Sequence, residues 1–357
     1  MKKHALPFLL VMAFAPLAEA QSSVTLYGLV DDGITYVNSH AGHPNLYLDA
    51  GIMQSSRWGL IGSEDLGAGN SIVFDLENRF NENTGASSGS LMFGGWSYAG
   101  VQSNQWGTLT FGRQYDFMAY LSVYSNSGYQ TIYTAHPYDV DRIAGEFVNN
   151  TVKYVSPVIG GVGVGALYGF SNAAGEFGGA SGAPRTVSFT VHYEQQSPLS
   201  MNFSYTKVDG YGGSAASVLL DATTVRTAGF GVRYAFSGSS LYGLVTNSRV
   251  SNLIKGGDDV SSTNIDVGVK YAATPAFCVT PGYSLERIGS WKANQVNLML
   301  DYALSKQTDV YALAAYQKSA TAGFPAGMFY IVNPSTNVGY SATDKQVALR
   351  IGIRAKF

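Results

Sequence analysis

A hydrolytic or metal centre would be built from histidine, cysteine and paired serine, and this chain has few such residues. Four histidines follow residue 20: His40, His43, His136 and His192. Ser188 and His192 are spaced so that both would lie on one face of a β-strand, but no distinctive motif surrounds them. A nucleophile needs a base within hydrogen-bond reach and a group that orients the base. The sequence therefore predicts no enzyme, no cofactor and no metal site, and a serine–histidine pair is the weaker alternative.

Other charged residues lie between apolar residues in segments that alternate as β-strands do. Successive side chains of a strand point to opposite faces. If the apolar Trp58 and Leu60 point one way, then Arg57 points the other way, and the same rule separates Arg79 and Lys153 from their apolar neighbours. We expect these three cations to form a basic wall on the polar face. The same alternation predicts six more residues on that face: Tyr27, Asp31, Asp75, Glu77, Arg350 and Arg354.

The elements that would position these residues are short amphipathic strands. From Val347 to Phe357 every second residue is apolar, and Arg350, Gly352 and Arg354 lie between them. Similar segments predict about 16 strands, an even number as in bacterial single-chain barrels. The predicted strands are residues 24–38, 54–64, 70–81, 93–103, 107–115, 149–157, 162–172, 185–194, 199–208, 225–235, 240–249, 263–273, 277–288, 292–303, 308–318 and 344–357. Pro281 inside one of them indicates a bulge.

The connections between these strands alternate in length. Short turns are expected at 65–69, 195–198 and 237–239. Longer polar stretches occupy 82–92, 173–184, 209–224, 250–262 and 319–343, and the longest connection is 116–148. Short turns at one end and long loops at the other are typical of outer-membrane barrels. A long connection in a compact domain is usually functional.

The first 20 residues have the features of a secretory signal. Lys2 and Lys3 precede an apolar run, and the small residues Ala18 and Ala20 frame a cleavage site. The alternative, a membrane helix, requires a longer run, and none follows. We therefore expect a signal peptide at 1–20 and a single β-barrel domain at 21–357.

Composition narrows the fold class. Only 13% of residues are charged, about half the usual share, whereas glycine and tyrosine are abundant. Removal of the signal would change the net charge from −2 to about −3, which gives no basis for nucleic-acid binding. The lone Cys278 permits no internal disulfide. An exported chain without membrane helices that still faces lipid must be a closed barrel. A soluble β-sandwich is the alternative, but its outer face would carry more charge.

Five segments carry a family resemblance: SSVTLYGLVDDGITYVNS, SRWGLIGSEDLGAGNSIVFDLENRF, WGTLTFGRQYD, VNNTVKYVSP and the terminal ALRIGIRAKF. Together they resemble the trimeric general-diffusion porins of Gram-negative bacteria, in the branch found in Burkholderia, Bordetella and Neisseria. The likeness runs from Ser22 to Phe357. It implies an all-β, 16-stranded antiparallel transmembrane barrel in the outer membrane, assembled as a homotrimer, that passes ions and small hydrophilic solutes.

The resemblance also assigns roles to residues. It implies that the third outer loop, within 116–148, folds inward and narrows the pore, with Asp139, Asp141 and Glu146 facing the basic wall. Phe357 resembles the terminal signal read by the outer-membrane assembly machinery, and lipopolysaccharide would surround the barrel. Glu82 and Arg113 are candidates for a contact between subunits, and a free second loop is the equal alternative.

Two questions stay open at this stage. In this family an arginine often stands where Gly95 is found here, so the basic wall is weaker and the ion preference is in doubt. The inward arginines favour a weak preference for anions. A substrate-specific channel for sugars or organic acids would share the same barrel and is the alternative function, and an outer-membrane enzyme is the more distant one.

Overall fold

The computed structural model describes residues 22–87, 89, 91–180, 182–194, 198–328 and 340–357. The expected signal peptide at 1–20 lies outside these residues, as do parts of the turn at 195–198 and of the loop at 319–343. Among the described residues, no helix has the length and apolar character needed to cross a membrane.

Sixteen antiparallel strands form one closed sheet, because the first strand pairs with the last. The strands are β1 (Ser23–His40), β2 (His43–Ala50 with Arg57–Gly67), β3 (Asn70–Asn81), β4 (Ser97–Ser103), β5 (Gly107–Tyr115), β6 (Phe147–Val155), β7 (Val162–Gly169), β8 (Arg185–Glu194), β9 (Leu199–Asp209), β10 (Ala222–Phe236), β11 (Ser239–Leu253), β12 (Val260–Ala272), β13 (Phe277–Ile288), β14 (Trp291–Ala303), β15 (Thr308–Ser319) and β16 (Lys345–Lys356). The predicted 16-stranded barrel is confirmed.

The second strand is interrupted, which the sequence pattern did not predict. Both of its segments pair with β1, and residues 51–56 leave the sheet between them. Asp31 holds this break: its carboxylate accepts hydrogen bonds from the backbone amides of Met53 (2.6 Å) and Gln54 (2.9 Å). Tyr311 donates to the other oxygen of Asp31 at 2.7 Å. A fully buried carboxylate is tolerated here because each oxygen has a donor.

Alternation along each strand separates two environments. In β16, Leu349, Ile351 and Ile353 are exposed on the outer face, whereas Ala348 and Arg350 are buried inside. Exposed apolar side chains on a continuous outer band suit contact with lipid tails. The polar inner face is the side on which the functional residues are placed.

Pro281 does not make a bulge, so that prediction is wrong. The pairing of β13 with β14 runs without a shift through Pro281 and Leu298. On the other side, β12 and β13 keep one register from Gly268 to Tyr271, with an unpaired stretch opposite the proline. The missing N–H of proline removes a ladder hydrogen bond, and the sheet accepts the gap without inserting a residue.

The segment between β5 and β6 crosses the barrel interior as short helical turns. It comprises 3₁₀ turns at Phe117–Tyr124, Ile132–Thr134 and Pro137–Asp139, and the short helix α1 (Asn126–Tyr129). We call residues 116–146 the inner segment. Its hydrogen-bond partners include Asp266 on β12, Gln295 on β14 and Asp49 on β2, which are strands far apart around the barrel.

Glycines on the inner wall make room for this segment. A Cβ atom on Gly165, Gly229 or Gly231 would overlap Phe117, Leu121 or Tyr124 respectively. These glycines therefore form a shallow bed for the first 3₁₀ turn. On this side of the barrel, the glycine-rich inner face therefore serves as a packing surface for the inner segment.

Candidate functional site

The basic wall begins with two arginines that share one carboxylate. Arg57 and Arg79 stand opposite each other on β2 and β3. Arg79 Nε donates to Glu77 at 2.9 Å, and Arg57 Nη1 donates to the other oxygen of Glu77 at 3.4 Å. Glu77 is 1% exposed, whereas the arginines are 17% and 18% exposed. The carboxylate therefore lies behind the guanidinium groups that meet the water.

Arg79 is held in place from a second side. Its Nη2 donates to the hydroxyl of Tyr115 at 2.6 Å, and its guanidinium lies 4.7 Å from the ring of Phe147. Hydrogen bonding and ring contact together limit the rotamers of a long side chain. The charge of Arg79 is consequently fixed in position.

A third arginine completes the charged side of the pore. Arg354 on β16 donates to Asp309 (2.9 Å) and to Gln54 (3.1 Å). With Arg57 and Arg79 it lines a cavity of about 330 Å³ between the wall and the inner segment. The inner segment contributes uncharged residues to this cavity: Ser122, Ser127, Gly128, Tyr129, Gln130, Ile132, Ile143 and Ala144. We call this cavity the eyelet.

Lys153 lies elsewhere than the sequence pattern predicted. It is 4% exposed and donates to the backbone carbonyl of Tyr115 at 2.9 Å. Its ammonium stands 4.6 Å from the rings of both Phe117 and Tyr120. The first 3₁₀ turn of the inner segment covers this lysine, so it does not line the eyelet beside the arginines.

The three carboxylates expected to face the basic wall also turn elsewhere. Asp139 and Asp141 are buried, and Glu146 pairs with Arg142 at 2.6 Å. In the described part of the chain, no salt bridge links any of them to Arg57 or Arg79. Each buried carboxylate has a close partner instead: Asp139 accepts a hydrogen bond from the backbone amide of Ala144, Asp141 pairs with His136, and Glu146 pairs with Arg142. The eyelet is therefore charged on one side only.

His136 connects the inner segment to the barrel wall. Its Nδ1 is 2.6 Å from Asp141, and its Nε2 is 3.1 Å from Asp266 on β12. Burial alone would lower the pKa of His136, but the two carboxylates raise it well above its ordinary value. Burial would raise the pKa of Asp141, yet the imidazolium and its hydrogen bonds hold that pKa below its ordinary value. We call these three residues the latch.

A second set of ion pairs fastens the two ends of the inner segment to each other. Arg142 Nε donates to Asp116 at 2.5 Å, and its Nη1 donates to Glu146. Glu146 also accepts a hydrogen bond from the backbone amide of Ala215, at the start of the short helix α2 (Ala215–Leu219). One buried arginine thus joins residues near both ends of the segment.

The remaining predicted residues take part in inner-wall networks. The hydroxyl of Tyr27 donates to Asp75 at 2.8 Å and lies 3.3 Å from Glu77. Arg350 is 2% exposed and donates to Tyr311 and Thr35. These side chains stand on the polar face, but their partners are protein groups.

The C-terminal residue closes the barrel. Phe357 N donates to the carbonyl of Gly28, and Gly28 N donates back to the carbonyl of Phe357. A Cβ on Gly28 would overlap the Phe357 ring. The terminal ring therefore sits where only glycine leaves space on β1.

Glu82 and Arg113 both have partners within the chain. Glu82 accepts a hydrogen bond from Ser56 at 2.8 Å. Arg113 donates to Asn149 and to the carbonyl of Gly94. Their role between subunits stays a prediction.

Ser188, the candidate nucleophile, has hydrogen-bond partners other than His192. Ser188 Oγ is 2.7 Å from Thr206 Oγ1 and accepts from the backbone amide of Phe117. Within the described ranges, no group of three or more His, Cys, Asp or Glu side chains could hold a metal ion.

A model of the Gram-negative porin family matches residues 8–322. The chain belongs to the Gram-negative porin family. Two curated relatives, each 28% identical, are an outer membrane porin protein of Bordetella pertussis, over all of both chains, and outer membrane porin protein 32 of Delftia acidovorans, over 99% of this chain and all of the relative.

Among solved structures, the chain is similar to an anion-selective porin from Comamonas acidovorans. The identity is 25%, the TM-score is 0.79, and the match covers 94% of this chain and 100% of that one. A Vibrio cholerae outer membrane protein, OmpT, shares the fold at 16% identity and a TM-score of 0.67, over 94% of this chain and 99% of that one.

As a porin, the chain forms a channel for passive diffusion across the bacterial outer membrane. Family and relatives alike indicate a channel rather than an enzyme. The eyelet lies between the barrel wall and the inner segment of this porin.

Gly95 stands where an arginine is often found in this family, and the structure shows what occupies the space beside it. A Cβ on Gly95 would overlap the carboxylate of Glu77. Glu77 therefore occupies the space beside Gly95 and uses it to reach both Arg57 and Arg79. The basic wall is rebuilt from neighbouring arginines.

Sequence analysis missed His136 and Arg142 as residues that hold the inner segment. The sequence pattern offered His136 only as one of four histidines, and it gave Arg142 no role beyond its place in the long connection 116–148. The spacing of Asp141 and His136 is no motif, since Asp266 joins them from a strand more than 120 residues away. Only the fold brings the three together.

Proposed function

We propose that this porin prefers anions. One observation carries the proposal: the water-facing side of the eyelet has three guanidinium groups, and the opposite side has uncharged residues. The carboxylates that partly neutralise them, Glu77 and Asp309, are 1% and 7% exposed and lie behind the arginines. A pore selects among ions by the charges at its narrowest part. The similar Comamonas protein is named an anion-selective porin.

A zero-current potential tests the preference. We would insert the refolded chain into a planar bilayer and impose a tenfold potassium chloride gradient. We expect a potential whose sign shows faster chloride passage, and a smaller potential in Arg354→Gln. Lys306→Gln, which removes an exposed cation from a turn, is the matched control. A potential that favours potassium would reject the proposal.

The general-diffusion mode belongs to the same proposal. The expected trace has open steps whose conductance rises roughly linearly with salt. Block by a single class of sugar or organic acid at low concentration would instead support the substrate-specific alternative. The same record therefore decides between the two.

We further infer that the porin is a homotrimer in contact with lipopolysaccharide. The outer face supports this with an apolar hollow of about 550 Å³, where the small Ala312 and Ala314 lie between Leu298, Leu349 and Ile351. Such a concave, dry patch suits a second subunit. Cysteines placed at Ala314 and at a facing position should crosslink between chains, and a monomer in native gels and crosslinking would contradict it.

The export and assembly roles are also inferred. We expect cleavage after Ala20 and recognition of Phe357 by the outer-membrane assembly machinery. N-terminal sequencing of the mature protein tests the first, and outer-membrane yield of Phe357→Ala tests the second.

A further inference from the structure

A second cavity lies below the eyelet, toward the short-turn end of the barrel. Its volume is about 610 Å³. Tyr115, Ser122, Ile143 and Ala144 line both cavities, so the two cavities adjoin. We call this second cavity the lower cavity.

The lower cavity carries charges of both signs on one row of the wall. Glu194 on β8 stands opposite Ser200 on β9, and Ser200 stands opposite Arg233 on β10. Neighbouring strands are about 4.8 Å apart, which puts the backbones of Glu194 and Arg233 about 10 Å apart. In the described part of the chain no salt bridge joins them. The row therefore offers an acid, a hydroxyl and a guanidinium in sequence.

Two buried polar atoms of this cavity, Arg233 Nε and His192 Nδ1, have no hydrogen-bond partner among the described residues, and the Ser200 hydroxyl lies within reach of the Tyr124 side chain. Ser200 itself is 7% exposed. A buried polar group left unpaired is costly, so native structures seldom keep several together without a ligand or water. In an open pore water can bond to these atoms, and a polar ligand that displaces this water can use the same bonding positions.

Aromatic rings from the inner segment cover the row. Tyr124 is seated against Gly231, where a Cβ would overlap its ring, and Tyr120 lines the same cavity. The imidazole of His192 lies against Gly163 in a similar way. Because Gly231 and Gly163 have no side chain, the rings of Tyr124 and His192 can lie close to the charged row. A flat apolar group of a ligand would find contact there.

We propose that the lower cavity binds small zwitterions of the α-amino acid class. The carboxylate would lie between Arg233 and Ser200, the ammonium would face Glu194, and an apolar side chain would contact Tyr120 and Tyr124. This proposal rests on the proposed open pore, since the ligand reaches the cavity through it. It differs from the preference for anions, because the lower cavity requires both charges.

Three matched solutes test the requirement for both charges. Phenylalanine carries the carboxylate and the ammonium, 3-phenylpropionate carries only the carboxylate, and phenethylamine carries only the ammonium. At neutral pH we would measure how each lowers and interrupts the open-channel current of the full-length refolded porin. We expect phenylalanine to act at concentrations about tenfold lower than either analogue, as the loss of one charge-assisted bond predicts.

Two variants locate the effect. Arg233→Gln and Glu194→Gln should each weaken the block by phenylalanine about tenfold. Lys306→Gln also changes one charge at this end of the barrel, and its block should equal that of the unchanged porin. Glu194 is exposed at the end of its strand, so its substitution leaves folding intact.

Each contrary outcome has a distinct meaning. Equal block by phenylalanine and 3-phenylpropionate would show that the cavity binds the carboxylate alone, and it would reject the proposed zwitterion site. Block that neither variant changes would place the binding elsewhere. Normal conductance without block would reject the zwitterion site but not the proposed open pore. Absence of conductance would reject the open pore itself.

Discussion

Replacing His136 with glutamine should release the inner segment from the barrel wall. The imidazole is 1% exposed and stands between Asp141 and Asp266, both fully buried. Removing it leaves two buried carboxylates facing each other without a cation. Breaking a buried pair in this way costs about 3–5 kcal/mol. At about 1.4 kcal/mol per tenfold change, the equilibrium between docked and undocked segments shifts by about 10²-fold to several thousand-fold.

The barrel does not depend on the latch, so the variant should insert normally. If the inner segment narrows the pore as proposed, we expect a larger mean single-channel conductance and more open-channel noise, since the segment is held less firmly. His43→Gln, at an exposed position on β2, is the control. If the His136 variant had the conductance and noise of the unchanged porin, the latch would have no part in holding the segment.

The same latch predicts a dependence on pH. The pKa of His136 is raised in the docked state, so its contribution is complete below about pH 6.5 and is lost as the pH rises through the higher docked pKa. The pKa of Asp141 is lowered, so its contribution is complete above about pH 3.9 and is lost as the pH falls through the lower docked pKa. Noise should therefore be lowest between about pH 4 and 6.5, and it should rise on both sides. Open-channel noise that stays constant from about pH 3 to about pH 11 would contradict the role of the latch in this pH dependence.

Three further predictions concern the wall and the bed of glycines. Glu77→Gln should strengthen the preference for chloride in the zero-current potential, because it removes the carboxylate behind Arg57 and Arg79, and an unchanged potential would show that Glu77 does not offset the charge of these arginines. Gly229→Val should displace Leu121 at a cost of about 1–3 kcal/mol and raise open-channel noise, whereas unaltered noise would mean that the segment adapts. Gly28→Val should push the Phe357 ring off its site and make the barrel less resistant to heat. In a gel that separates folded from unfolded barrels, the variant should unfold at a lower temperature, and an unchanged unfolding temperature would contradict the closing role of this contact.

The alternating pattern was sufficient to predict the barrel and most of its strands. Lipid on one side and water on the other impose a period of two on every strand, so the sequence records the fold locally. The sequence pattern did not predict the first segment of β2, residues 43–50. This segment comes directly after the first predicted strand, so the sequence analysis placed it in the loop that follows. Pro281 was misjudged because a missing N–H can be accommodated by a gap as well as by a bulge.

The sequence by itself determined which residues stand on the inner face, including Arg57, Arg79 and Arg354. It could not determine which of them meet water, since that depends on how the inner segment lies across the barrel. The segment covers Lys153 and buries Asp139, Asp141 and Glu146 away from the eyelet, leaving the eyelet charged on one side. Contacts such as His136 with Asp266 and Asp141 with Thr246 join residues distant along the chain, and they form only once the barrel has closed.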